Sequence, residues 1–107
     1  MAKLERDFQA SLIKEIEMRI PGSIAQKMES YIQGWPDVLV LYNDRWALLE
    51  CKKGRKAKHQ PNQDDYVELL DKMSFSRFVY PENKEEVLHD LQQAFGVGRQ
   101  TCSAESE

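Results

Sequence analysis

Two runs, Val38-Leu39-Val40-Leu41-Tyr42 and Trp46-Ala47-Leu48-Leu49, are almost free of polar side chains and flank the turn-forming dipeptide Asn43-Asp44. A strand that is apolar at successive positions, and not only at alternate ones, is buried on both faces. The two runs therefore predict a hairpin covered on both sides, which requires helices around a sheet. Helices are available. Leu4, Phe8, Leu12, Ile16 and Ile20 recur every four residues, with Ile13 beside them, and mark an amphipathic helix from Lys3 to Ile20 that Pro21-Gly22 ends.

The rest of the chain fills in the order. Ile24 to Ser30 has a weak period-two pattern that suggests a strand, and Ile32-Gln33-Gly34-Trp35-Pro36 reads as a loop. After a basic run, Asn62 is placed to cap a helix starting at Gln63, with Asp65 answering it, and Tyr66, Leu69, Leu70 and Met73 follow. Phe75 to Tyr80 has the composition of a strand. Asn83 and Glu86 repeat the capping pattern ahead of Val87, Leu88, Leu91 and Phe95, and Gly96 stops this last helix. The expected fold class is α/β, an α-β-β-β-α-β core with a mixed central sheet flanked by helices, and a C-terminal helix. The helix between the hairpin and the last strand is read as a right-handed crossover.

At 107 residues the chain has the length of one small domain, placed at 1–96 with a tail expected to be disordered at 97–107. No apolar run is long enough to span a bilayer and the first residues go directly into charge, so a cytoplasmic protein is expected. Cys51 and Cys102 do not form a disulfide framework. The net charge of −3 conceals a sorting: residues 1–60 carry +3 and residues 61–107 carry −6. Lys52, Lys53, Arg55, Lys56 and Lys58 fall within one short run that can hold a local positive potential.

Chemistry gathers beside that run. With the turn at Asn43-Asp44, paired residue numbers sum to 87, which sets Asp37 opposite Glu50 and puts Lys52 on the same face as Glu50. Carboxylates that face each other at roughly 5 Å repel unless something positive lies between them. A divalent cation removes the conflict, and carboxylate oxygens with retained waters suit Mg²⁺, with Mn²⁺ as substitute. Such a site fits phosphoryl chemistry, with Lys52 orienting a water or stabilising the phosphorus. The plainer reading makes Asp37 a turn residue and Glu50 and Lys52 a strand-end ion pair worth at most about 1 kcal/mol.

In the written form Gly34-Trp35-Pro36-Asp37 followed by Glu50-Cys51-Lys52, the chain resembles the PD-(D/E)xK nuclease superfamily, whose core has the same element order. With Pro61-Asn62-Gln63 it is most similar to the stand-alone virus-type replication-repair nucleases, and archaeal Holliday-junction resolvases and phage junction-resolving endonucleases are similar as well. The resemblance implies that Asp37, Glu50 and the Cys51 backbone carbonyl bind the metal and that Lys52 assists catalysis. It adds a metal-binding acid from the first helix, matched by Glu5, although Glu15 and Glu17 share that helix. Gln63 matches a catalytic glutamine at a helix start where free N–H groups can face a phosphate. Lys53, Arg55, Lys56 and Lys58, with Gln63, would follow the DNA backbone. His59 is read as incidental, Trp35 and Trp46 as packing, and Cys51 as a buried small side chain.

The implied function is a Mg²⁺-dependent DNA endonuclease acting on branched or otherwise structured DNA as a homodimer. Two competing readings are a catalytically silent nucleic-acid-binding or phage accessory module and a small acidic interaction protein.

Overall fold

The structure, a computed structural model, describes residues 2–97; the side chains of residues 2–4 and the tail at 98–107 fall outside the description. Its elements run α1 (Ala2–Arg19), β1 (Ile24–Lys27), β2 (Val38–Tyr42), β3 (Arg45–Cys51), α2 (Gln63–Met73), β4 (Ser76–Val79) and α3 (Lys84–Phe95). The four strands form one sheet in the order β1-β2-β3-β4. β1 and β3 both run antiparallel to β2, while β4 runs parallel to β3, so the sheet is mixed as the sequence predicts. Among the described residues no helix is long and apolar enough to cross a membrane.

The hairpin register is Val38 with Leu49 through Tyr42 with Arg45, which keeps the expected sum of 87. Asn43 turns the chain in a left-handed conformation, φ 55°, which asparagine tolerates. β3 is buried continuously from Ala47 to Cys51, as expected of a central strand. β2 is not. Val38 and Val40 are buried, but Leu41 on the opposite face is 38% exposed and Leu39 is half-buried. Part of that second face is left open because α2 packs chiefly over β3 and β4.

On the first face, Leu12 and Ile16 of α1 and Ile20, the residue after it, are fully buried with Val38, Val40, Leu49, Leu88 and Leu91. Each such side chain contributes about 2 kcal/mol by leaving water. α1 is tied to α3 by Arg19, which donates to Glu85 at 2.8 and 2.9 Å, and by Lys84, which donates to Glu15 at 2.8 Å. The inward stripe of α1 differs from the expected one at its start. Gln9 is buried and Phe8 only half so, and the buried line therefore runs Gln9, Leu12, Ile16, Ile20.

Both predicted side-chain caps are corrected. α2 does begin at Gln63, but Asn62 is left-handed, φ 74°, and makes no side-chain cap bond. Asn83 likewise makes none ahead of α3. Its amide bridges backward instead, Oδ1 accepting from the Tyr80 N–H at 2.9 Å and Nδ2 donating to the Phe78 carbonyl at 3.0 Å. The end of β4 gains those bonds.

Candidate active site

Asp37 follows the tight loop Gly34-Trp35-Pro36, whose position is fixed by contact with the segment before α2. Gly34 has φ +90°, and a Cβ there would lie 2.7 Å from the Pro61 carbonyl oxygen and 2.8 Å from Asn62. Only glycine permits that approach. Trp35 meets the Tyr66 ring edge-on at 5.3 Å, so the loop carrying Asp37 is packed against the helix that begins with Gln63. This is the packing role expected of Trp35. Trp46 is half-buried at the start of β3.

The strand ladder stops one pair short of Asp37 and Glu50. The Asp37 N–H donates to the Leu49 carbonyl at 3.1 Å, and the Asp37 carboxylate accepts the Cys51 N–H at 3.1 Å. A side-chain oxygen thus stands in for the next main-chain acceptor and holds the carboxylate at the end of β3. Burial pushes the Asp37 carboxyl above its ordinary range, and the Glu5 charge adds to this, while the bonds from Cys51 and from the Gln9 side chain oppose it.

Glu50 and Lys52 are each only 5% exposed, which is rare for charged residues. Gln63, also buried, lies between them. Its Nε2 donates to Glu50 Oε2 at 2.9 Å, and its Oε1 accepts from Lys52 Nζ at 2.7 Å and from the Gln60 N–H at 2.8 Å. Lys52 Nζ donates also to the Lys58 carbonyl at 3.1 Å and stands 3.9 Å from Glu50 Oε2. Glu50 Oε1 is buried and has no hydrogen-bond partner among the described residues. Burial first, then repulsion from Asp37 and Glu5, raise the Glu50 pKa to about 8 against the lowering effect of Lys52. Lys52 alone does not neutralise this group of acids.

Of the three α1 glutamates only Glu5 faces the site. Glu15 is bound to Lys84 and Arg19, and Glu17 accepts the Ala25 N–H at 3.0 Å. Glu5 lines a cleft of about 290 Å³ together with Glu50, Lys52, Lys53, Lys58 and Gln63. Among the described residues there is no group of three or more His, Cys, Asp or Glu that could hold a metal ion, so Glu5 does not complete a three-ligand cluster here. The donor set that could hold a cation is Asp37 and Glu50 with the Cys51 carbonyl between Glu50 and Lys52. Oxygen donors, an unpartnered buried carboxylate oxygen and repulsion between the acids all fit a hard divalent ion that keeps some of its waters. Cys51 is fully buried and its thiol pKa is pushed up, so it is not a nucleophile.

The basic loop leaves the site along the surface. Lys53, Arg55, Lys56 and Lys58 are exposed, and Arg55 lies 5.7 Å from the centre of the Tyr80 ring. His59, read from the sequence as incidental, anchors the loop: its ring stacks on Phe78 at 4.1 Å and Nδ1 meets Asp64 Oδ1 at 2.7 Å. Two residues at the site escaped the sequence reading. Gln9 supports Asp37, and its signal was a polar side chain four residues after Glu5, in line with Leu12 and Ile16. Gly34 stands in the sequence only as a motif position, and the reason for it lies in residues 61 and 62.

No family model, curated protein or solved structure matches the chain.

Proposed function

We propose that this protein is a divalent-metal-dependent DNA endonuclease of the PD-(D/E)xK type that hydrolyses phosphodiesters, with branched or structured DNA as substrate. The observation that carries the reading is the buried Glu50, with a free oxygen and a raised pKa, set among Asp37, Glu5 and a hydrogen-bonded Lys52 at the end of an open cleft. A divalent cation, Mg²⁺ or Mn²⁺, supplies neutralising charge and a more acidic bound water when present. Asp37 and Glu50 hold it, with the Cys51 carbonyl completing the oxygen donors.

Lys52 carries three N–H donors, and two are used by Gln63 and the Lys58 carbonyl. The third is left for a phosphate oxygen or the attacking water. Gln63 is a positioning residue, because its amide is fixed by Glu50 on one side and by Lys52 and Gln60 on the other. Lys53, Arg55, Lys56 and Lys58 extend positive charge from the reacting phosphate along the strand. Cutting two strands symmetrically takes two sites, which a homodimer supplies.

The test is cleavage of linear duplex, single-stranded, flap and four-way-junction DNA in Mg²⁺ or EDTA. The expected result is Mg²⁺-dependent cutting that favours the branched substrates. Lys52→Ala should lower turnover by roughly 100-fold or more with little loss of DNA affinity, as for a group acting in the transition state. A loss confined to affinity would make Lys52 a phosphate contact only. Binding of all substrates without cleavage would replace the reading with a silent DNA-binding module, and absence of salt-dependent binding would favour an acidic interaction protein.

A further inference from the structure

We propose that Arg6 and Lys27 form a second phosphate-binding subsite, which grips the DNA strand on the far side of the reacting phosphate from the basic loop; this rests on the nuclease reading above. Two clefts meet at Glu5. One is the cleft beneath the basic loop, to which Glu50, Lys52, Lys53 and Lys58 contribute. The other, about 340 Å³, is lined by Glu5, Arg6, Gln9, Lys27 and Asp37. Asp37 therefore opens to one cleft and Glu50 to the other, and the carboxylates lie on the divide.

A strand whose reacting phosphate sits at that divide sends its neighbouring phosphates into both clefts. The acids that hold a cation repel those neighbours, and the whole chain carries −3. Binding a polyanion across the site thus needs positive charge on each side. The basic loop supplies one side. Arg6, on α1, and Lys27, the last residue of β1, supply the other, brought to one cleft because α1 packs beside β1.

Both side chains are exposed, and neither has an ion-pair or hydrogen-bond partner among the described residues, although Glu5 and Asp37 line the same cleft. Arg19, Lys84 and Arg77, by contrast, are each bound to a carboxylate. Arg6 and Lys27 are free to meet an incoming phosphate. A guanidinium there offers a fork for two phosphate oxygens, and the ammonium adds a mobile point charge.

The test reads binding and not cleavage. Affinity for labelled single-stranded and four-way-junction oligonucleotides is measured in EDTA across a salt series, for wild type, for Arg6→Ala/Lys27→Ala, and for the stem-preserving Arg6→Gln/Lys27→Gln. Each phosphate contact adds roughly 0.7–0.9 to the slope of log affinity against log salt, so both double variants should lower the slope by about 1.5. Lys14→Ala, on an exposed part of α1 away from the clefts, should not change it. Replacing one phosphate next to the cleaved bond with a neutral methylphosphonate should weaken wild type and leave the double variants unaffected at that position. A wild-type slope retained by folded double variants would overturn the subsite and leave the nuclease reading standing. No salt-dependent binding by wild type would overturn both.

Discussion

Glu50→Gln is expected to abolish cleavage while making the protein more stable at pH 8. The carboxylate is buried, one of its oxygens has no partner, and Asp37 and Glu5 act against its charge. An acid whose folded pKa is raised binds its proton more tightly in the native state. Its contribution to stability is then greatest below the ordinary value of 4.5 and falls as pH rises towards about 8. Wild type should accordingly lose stability across that window, by an amount on the order of a few kcal/mol, and the glutamine variant should not. For a domain of this size the melting temperature of Glu50→Gln should exceed that of wild type by on the order of 10 °C at pH 8, with the gap closing near pH 4. Mg²⁺ should raise the wild-type value at pH 8 and have little effect on the variant. Activity should move the other way, by roughly 1,000-fold or more, since several kcal/mol of charge stabilisation leaves with the ligand. Equal melting curves for the two proteins at pH 8 would mean that the Glu50 carboxylate is not destabilised there and has no need of a cation.

The second large effect is expected at a residue with no reactive atom. Gly34→Ala places a Cβ 2.7 Å from the Pro61 carbonyl oxygen in a chain segment with φ +90°, and both the close atoms and the conformation oppose it. Backbone strain and overpacking together should cost about 2–5 kcal/mol. The same shift separates the Asp37 loop from the start of α2, so cleavage should fall further than the loss of folded protein explains. Chemical denaturation with matched activity at a temperature where the variant is fully folded separates the two effects. Gly54→Ala is the control, because a Cβ there finds only Glu82 at 3.8 Å, an ordinary contact, and stability should change by no more than about 0.5 kcal/mol. Full activity in folded Gly34→Ala would show that the two loops need not touch.

These two residues also show what the sequence carried and where it fell short. Glu50 was legible because strand pairing is simple arithmetic: a two-residue turn at Asn43-Asp44 gives the register that ends at Val38 with Leu49, next to Asp37 and Glu50. The order of helices and strands was legible for the same reason, since apolar periodicity reports which face is buried. Gly34 was legible only as a letter in a motif. Its partner atoms are 27 and 28 positions away, on a segment whose position depends on the finished fold.

The capping errors have a related cause. Asn62 has the side chain of a good cap, but it lies where Gly34 presses against the backbone, and it adopts the left-handed conformation that asparagine tolerates. Asn83 spends its amide on β4, a long-range choice invisible to a local rule. β2 was read as buried on both faces because Leu39 and Leu41 are apolar. Composition cannot say that α2 packs chiefly over the other half of the sheet, on β3 and β4. Gln9 lies beside the four-residue apolar spacing of α1 and is buried where its side chain meets Asp37.

On the function proposed above, Asp37 and Glu50 together hold a divalent cation. The most direct measurement of this is a titration of the protein with Mn²⁺ at pH 8, followed by the loss of the free-ion electron paramagnetic resonance signal, on wild type and on Asp37→Asn. Saturable Mn²⁺ binding is expected for wild type, displaced by Mg²⁺ and lost in Asp37→Asn. Saturable binding of the same strength in folded Asp37→Asn, or none in wild type, would contradict it.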